Sequence, residues 1–324
     1  MNQKQKATLI YNPLAGPADL ATPIGLVADF WQTQGWQVFV QPTQAPGHAT
    51  ELARQAAADG HRLVLAAGGD GTLGEVANGL AETETVMAPL PVGTANSFAK
   101  ELGLPLPGII DKQRLLQAAK LLAKGRVYRM DLGYKYDGAG NGRYWLLWSG
   151  TGVDGYLVHQ LEPRPRWSKK LGPLGYVLLG FAAMPQYPDI QATVSVDGKI
   201  FTGEFVLISI SNCRMYGGEV ILNPTGVLND GLLEVWMFRG RGIQRLLQVV
   251  FETMFAKHTE DDDVIMVRGR HIRIETDPVI GCHADGDPAD FTPLVCEVKP
   301  GALRMLVPPT APGDMFTGPG EPLI

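Results

Sequence analysis

Cysteine is scarce in this chain. Its 324 residues hold three, Cys213, Cys282 and Cys296, with no CxxC pair among them. That excludes a zinc-ribbon site and a disulfide scaffold, and an odd, sparse count fits a reducing compartment. Long apolar runs are lacking as well. The most apolar stretch, Leu171 to Pro185, is broken by Gly and Pro and is shorter than the roughly 20 residues of a membrane-spanning helix. The N-terminal MNQKQKATLIYNP carries charge with no apolar run behind it, so it does not read as a secretory signal. Positive charge is in deficit: 28 Lys and Arg against 33 Asp and Glu leave a net charge of −5, which argues against nucleic acid as a partner. There is no GxxxxGK[ST] loop, no internal repeat and no low-complexity segment. The expectation is a soluble, cytoplasmic protein, at most peripheral to the inner face of a membrane.

Glycine, by contrast, is in excess, with 39 residues against a usual share of roughly 7 %. Hydrophobic residues make up 45 % of the chain, enough for a sizeable core. In the first third, short apolar runs alternate with helical patterns. ATLIYNP (7–13), WQVFVQPT (36–43), RLVLAAGG (62–69) and VMAPLPVG (86–93) read as buried strands. Between them, helices are predicted from Leu20 to Trp31, at 48–60 with Thr50 as N-cap and Gly60 as the stop, and at 72–80. Two more follow at 96–103 and 111–125. This alternation implies an α/β layer with a mainly parallel sheet, whose ligands bind beyond the carboxyl ends of the strands. From about Arg126 strand-like runs dominate, with a hairpin signal at Asp197-Gly198 and helical patterns near 153–183 and at 242–257. The second part therefore reads as a mostly antiparallel β-sandwich. The expected division is residues 1–128 and 129–324, with the last residues returning to the first domain. The Pro/Gly-rich tail PPTAPGDMFTGPGEPLI is expected to be loosely ordered.

Three turns carry the chemistry. Gly68-Gly69-Asp70-Gly71-Thr72 follows the third strand and opens a helix. Glycines there let backbone N–H groups approach an anion, and the helix N-terminus adds a favourable dipole. An Asp inside such a loop would repel a bare phosphate but suits one bridged by a divalent cation. Gly69-Asp70-Gly71-Thr72-Leu73-Gly74 also matches the dinucleotide pattern GxGxxG, yet it follows the third strand rather than the first, so a dehydrogenase is the weakest reading. Pro91 to Ala99 is a second strand-to-helix junction of small and hydroxyl residues, and Asn12 to Gly16 a third.

GGDGTLGEVANGL (68–80) followed by PVGTANSFAKELGLP (91–105) resembles the catalytic domain of the diacylglycerol kinase and sphingosine kinase family, especially its soluble bacterial lipid kinases. The likeness continues in order through NPLAG (12–16), MDLG (130–133), SGTGVDG (149–155), LNDGLLEVWMF (228–238) and ADGD (284–287). GGDGT alone is shared with phosphofructokinases and NAD kinases; the later blocks favour the lipid kinases. The resemblance implies a phosphofructokinase- or NAD-kinase-like ATP domain, a β-sandwich domain contributing substrate contacts, and reaction in the cleft between them. It places nucleotide contacts at Asn12, Pro13, Leu14, Ala15 and Gly16, at Thr43, at Gly68, Gly69, Asp70, Gly71, Thr72, Leu73, Gly74 and Glu75, and at Thr94. Asp70 would act near Mg²⁺ and the phosphates. A structural magnesium would sit on Asp230 and the carbonyls of Val227 and Leu232. The family's catalytic base is the Glu of an Asp-Gly-Glu; here the sequence is Asp285-Gly286-Asp287, one methylene shorter. Asp287 is the candidate base, and a base must come within about 3 Å of the hydroxyl it deprotonates.

The implied activity is ATP-dependent transfer of phosphate to diacylglycerol or a related lipid alcohol at a membrane surface, by a family whose members are often homodimers. The alternatives are a kinase of a soluble substrate such as NAD, and a catalytically weak lipid-binding or regulatory protein. No single lysine stands out in the loops, so transition-state charge falls on metal and backbone dipoles or on an arginine the sequence does not identify. The run Arg164-Pro165-Arg166-Trp167-Ser168-Lys169-Lys170, ahead of the apolar Leu171–Met184 stretch, is a candidate membrane contact or a charged turn entering a core helix. His283, beside the Asp-Gly-Asp turn, is a candidate proton shuttle or a core histidine.

Overall fold

The computed structural model describes residues 4–16, 19–107, 113–136, 142–161, 187–218 and 220–323. The chain forms two compact units: residues 1–132, 227–230 and 300–324 in the first, and 133–226 and 231–299 in the second. The Arg164–Lys170 run and the apolar stretch after it lie outside the described residues. Among the described residues no helix is long and apolar enough to cross a membrane.

The first unit begins with β1 (Gln5–Tyr11), α1 (Ala21–Thr33), β2 (Trp36–Pro42), α2 (His48–Ala58), β3 (Leu63–Gly68), α3 (Asp70–Leu80) and β4 (Val86–Pro91). Next come the short α4 (Ser97–Glu101) and α5 (Arg114–Leu122). Strands β3 and β4 are buried along their whole length, as continuous apolar runs flanked on both sides must be. The pairings among β1–β4 are parallel, in the order β4-β3-β1-β2, and the end of the last strand pairs, also parallel, with the other edge of β4 through Arg304 and Met305. Helix α1 packs on α5, and α2 on α3. The four turns after β1, β2, β3 and β4 therefore leave one edge of the sheet.

Two local expectations are corrected. Thr50 is not the N-cap of α2, because the helix starts at His48 behind Gly47, whose φ is +82°. The cap comes from another helix: Glu75 of α3 accepts the amides of Gly47 and Ala49 at 3.0 and 3.1 Å, while the Thr50 hydroxyl donates to the Glu75 carbonyl at 2.8 Å. The tail is not loose either. Met315 and Phe316 are buried, Phe316 stacks on Tyr128 with ring centroids 4.8 Å apart, and Glu321 exchanges backbone bonds with Val127. Two buried apolar residues among the prolines seat it, together with the bonds between Asn229 and Thr317.

β5 (Arg126–Tyr136) leads into the second unit, followed by β6 (Gly142–Trp145), β7 (Trp148–Gly152) and α6 (Val153–Leu161). Then come β8 (Gln191–Val196), β9 (Lys199–Ser211), β10 (Met215–Tyr216), β11 (Val220–Ile221), β12 (Leu233–Arg239) and α7 (Gly242–Met254). β13 (Val264–Gly269), β14 (His271–Asp277), β15 (Gly281–Ala284), β16 (Asp287–Phe291) and β17 (Leu294–Val307) complete it. Pairing is antiparallel. The first half of β9 runs beside β8, then β14, then β17; its second half lies between β12 and β7, which continues to β15 and β16. One long strand thus serves both layers of a sandwich. Inward residues repeat every second position, as in Val194 and Val196, Ile208 and Ile210, Leu233, Val235 and Met237, and Ile272 and Ile274, and they close one core around Trp145 and Phe205. The β8–β9 turn is Asp197-Gly198 with φ of +48° and +85°, both positive as a two-residue hairpin of this type requires.

Candidate functional site

In the first unit the turns after β1, β3 and β4 close on one another through backbone. Val92 and Gly93 both donate to the carbonyl of Gly68, at 3.0 and 3.3 Å, and Asn12 donates to that of Ala67 at 3.1 Å. The Asn12 side chain folds its own turn by accepting the Leu14 amide at 2.9 Å. Thr43 N–H bonds the Tyr11 carbonyl at 2.8 Å, so Thr43 stands at the same strand ends. The packing leaves no room for side chains. A Cβ on Gly93 would lie 2.4 Å from Gly69 Cα, and one on Gly16, whose φ is +72°, 2.2 Å from the Val92 carbonyl oxygen. Gly71 is different. Its φ is ordinary, it lies in the first turn of α3, and a Cβ there would meet nothing within 4 Å. Neither torsion nor crowding asks for glycine at 71; the open space above the amino end of an eleven-residue helix is what an anion would take. Thr94, which follows Gly93 in the chain, is exposed.

The two acidic residues of the glycine turn have protein partners. Asp70 Oδ2 accepts the Ser97 amide at 2.9 Å and its hydroxyl at 3.0 Å, and Oδ1 accepts the Phe98 amide at 3.2 Å. It therefore caps α4 and ties the turn after β3 to that after β4, with one lone pair of Oδ1 left over. Glu75 caps α2 as described. Both cap helices that begin far away in sequence, which is why no local pattern announces them.

In the second unit the β15–β16 hairpin turns on Asp285 and Gly286, with φ of +54° and +81°. The Asp285 carboxylate accepts three successive amides, those of Leu146, Leu147 and Trp148, at 2.8, 2.7 and 3.3 Å. Burial pushes this carboxyl above the usual range, against the pull of those amides and of Arg143. Asp287 is the accessible acid of the pair, its side chain 53 % exposed. Arg143 Nη2 lies 3.2 Å from the Ala284 carbonyl and 3.4 Å from Asp287 Oδ2. Beside it Lys135 Nζ contacts Asp290 at 2.7 Å. His283 is buried, with Nε2 2.8 Å from Asp154 Oδ2, which also accepts the Tyr216 hydroxyl at 3.2 Å. The sequence pattern gives no sign of Arg143, Lys135, Asp154 or Tyr216 as neighbours of this hairpin, since strand pairing across long separations brings them there.

Among the described residues no group of three His, Cys, Asp or Glu could hold a metal ion. Val227, Asp230 and Leu232 lie in the segment before β12, where Gly231 has a φ of +75°. One carboxylate and two carbonyls make an all-oxygen set of the kind hard dications take.

Residues 6–135 match the diacylglycerol kinase catalytic domain, and residues 150–307 the YegS C-terminal NAD kinase beta sandwich-like domain. The chain is 28 % identical over 291 residues to the diacylglycerol kinase of Bacillus subtilis (strain 168), covering 89 % of this chain and 92 % of that one. It is 31 % identical over 283 residues to the Cronobacter sakazakii protein named Probable lipid kinase YegS-like, covering 86 % and 89 %. The crystal structure of a diacylglycerol kinase from Bacillus anthracis str. Sterne superposes with a TM-score of 0.72 at 25 % identity, covering 96 % of this chain and all of that one.

Proposed function

The chain belongs to the bacterial diacylglycerol kinase and YegS-like family and is a lipid kinase, and from that premise we propose that it transfers the γ-phosphate of ATP to the hydroxyl of diacylglycerol or a related lipid alcohol, giving phosphatidic acid or its analogue. The observation that carries the proposal is the backbone contact among the turns after β1, β3 and β4, together with the open space at Gly71 in the first turn of α3. Backbone amides there can hold phosphate oxygens without reorganising, and phosphoryl transfer needs mainly positioning and charge neutralisation.

The residues divide the work. The turns at Asn12–Gly16, Gly68–Thr72 and Gly93–Thr94 and the adjacent Thr43 grip the nucleotide. Asp70 holds the turns together, and its carboxylate would help to hold magnesium near the phosphates. Asp230, with the carbonyls of Val227 and Leu232, would hold a structural magnesium. Magnesium, when bound with ATP, supplies charge neutralisation at the phosphate oxygens. Asp287 takes the acceptor proton as the acceptor oxygen bonds to the γ-phosphorus and the bond to the β,γ-bridging oxygen breaks, releasing ADP. Its exposure makes it reachable, and the absent methylene requires the hydroxyl to come about 1.5 Å nearer the backbone than a Glu would need.

The test is to incubate the pure protein with Mg-ATP and, separately, diacylglycerol, other lipid alcohols, NAD and sugars. Phosphate is expected on a lipid hydroxyl. Asp287→Asn should lower kcat by about 10²–10⁴, and Asp287→Glu should keep turnover. Label found only in NAD would overturn the lipid assignment, and full turnover in Asp287→Asn would overturn the base.

A further inference from the structure

The turns that would hold the triphosphate carry no basic side chain: Asn12–Gly16, Gly68–Glu75 and Pro91–Ser97 contain neither Lys nor Arg. Phosphoryl transfer nevertheless spreads negative charge over three oxygens, and a guanidinium that meets this charge raises the rate by orders of magnitude. The second unit places two cations against the hairpin that carries Asp287. Lys135 and Arg143 are cross-strand partners in the β5–β6 pair, and they differ in what they can still do. Lys135 is buried, 5 % exposed, with Nζ committed to Asp290 at 2.7 Å. The Arg143 side chain is 41 % exposed. Its Nη2 is anchored on the Ala284 carbonyl at 3.2 Å and leans on Asp287 at 3.4 Å, longer than the roughly 2.7–2.9 Å of a strong charged hydrogen bond. Its Nε and Nη1 donate to nothing among the described residues. A long contact between two half-exposed ions is easily given up.

We propose that Arg143 is a catalytic residue of the phosphoryl transfer. Anchored by the Ala284 carbonyl, its guanidinium exchanges the Asp287 carboxylate for non-bridging oxygens of the transferring phosphoryl group, which frees that carboxylate for the acceptor proton. Only ionic and hydrogen-bond partners change in this exchange; the covalent step is the one given above. An arginine suits the task where a lysine would not, because a planar fork of five N–H donors can keep one of them on the carbonyl while others address an oxyanion. The phosphomonoester of the product presents the same chemistry. The inference rests on Asp287 being the base.

The experiment compares Arg143→Gln, Arg143→Lys and Arg143→Ala with the unaltered full chain, using Mg-ATP and diacylglycerol in detergent micelles. Arg143→Gln is expected to lose about 10²–10³ in kcat with the lipid KM little changed, Arg143→Lys to recover only part of it, and Arg143→Ala to gain turnover when ethylguanidinium is added. A readout apart from turnover is binding of glycerol 3-phosphate, followed by the arginine side-chain ¹⁵N resonances: one of them should move in the unaltered protein and none in Arg143→Gln. The proposal is overturned if Arg143→Gln keeps its kcat, or if lost turnover comes with a lowered melting temperature and no guanidinium rescue, which marks a clamp for the hairpin. Asp287→Asn separates the two readings. If it is inactive while Arg143→Gln is active, only the arginine proposal falls; if it is fully active, the base falls and the exchange with it.

Discussion

Replacing Gly71 by alanine separates what the fold needs from what a ligand needs. The residue lies in the first turn of α3 with ordinary torsions, and beyond its chain neighbours and the helix backbone no atom lies within 4 Å of an added Cβ. Alanine is the better helix residue by up to about 1 kcal/mol, less at a helix end, so a gain of about 0.5 kcal/mol is expected. For a chain of this size that is a rise of about 1–2 °C in melting temperature. The methyl group would at the same time occupy the space above the α3 amides. Losing one or two hydrogen bonds to a charged phosphate costs about 1.5–3 kcal/mol each, and every 1.4 kcal/mol is about tenfold in affinity. Nucleotide affinity should therefore fall by about ten- to a hundredfold or more. Calorimetric titration with a non-hydrolysable ATP analogue and magnesium measures the second quantity, and scanning calorimetry of the ligand-free protein the first. A Gly71→Ala protein that melts normally and binds the analogue within twofold of the parent would refute the placement of phosphate over this helix.

Asp70→Asn should behave the opposite way in the ligand-free protein. An amide can no longer accept from Ser97 and Phe98 on both its atoms, and the lost cap costs about 1–2 kcal/mol, visible as a lower melting temperature that Ser97→Ala changes less than additively; an unchanged melting temperature would show that the carboxylate works on ligand alone. Cys282 and Cys296 are buried thiols, each pushed up to about 12 by burial. A raised folded pKa means that their stabilisation is complete below the unfolded value of about 8.5 and is lost as pH rises from there toward 12, at up to about 1.4 kcal/mol per thiol per pH unit. The urea midpoint should drop between pH 8 and pH 10, and drop less in Cys282→Ala/Cys296→Ala; equal drops in both proteins would refute the assignment.

Legibility in the sequence followed the range of the interaction. β3 and β4 are visible as runs because every residue in them is buried, and the Asp197-Gly198 hairpin is visible because its torsions are set within two residues. The glycines at 69 and 93 are also legible, although the reason for them, a backbone contact between two turns, is not. That Asp70 and Glu75 also cap helices is not legible, because their protein partners, Ser97 and Phe98 for one and Gly47 and Ala49 for the other, lie more than twenty residues away. Arg143 left no trace, since its proximity to Asp287 depends on how β5–β6 and β15–β16 come together. The tail misled for a compositional reason: its prolines and glycines outnumber Met315 and Phe316, yet those two bury.

The route of the chain has a consequence for its synthesis. β4 is made early, but its second neighbour is the far end of β17, at Arg304 and Met305, which is made long after it. Until then a nascent chain carries an apolar strand with one flank of N–H and C=O groups unclaimed, the kind of edge that recruits other chains. A gene fragment cut after residue 132 would keep that flank bare for good, and would also lack the terminal segment that covers Tyr128. Expressing the amino-terminal body for study therefore calls for grafting residues 300–324 back onto it rather than for a stop codon.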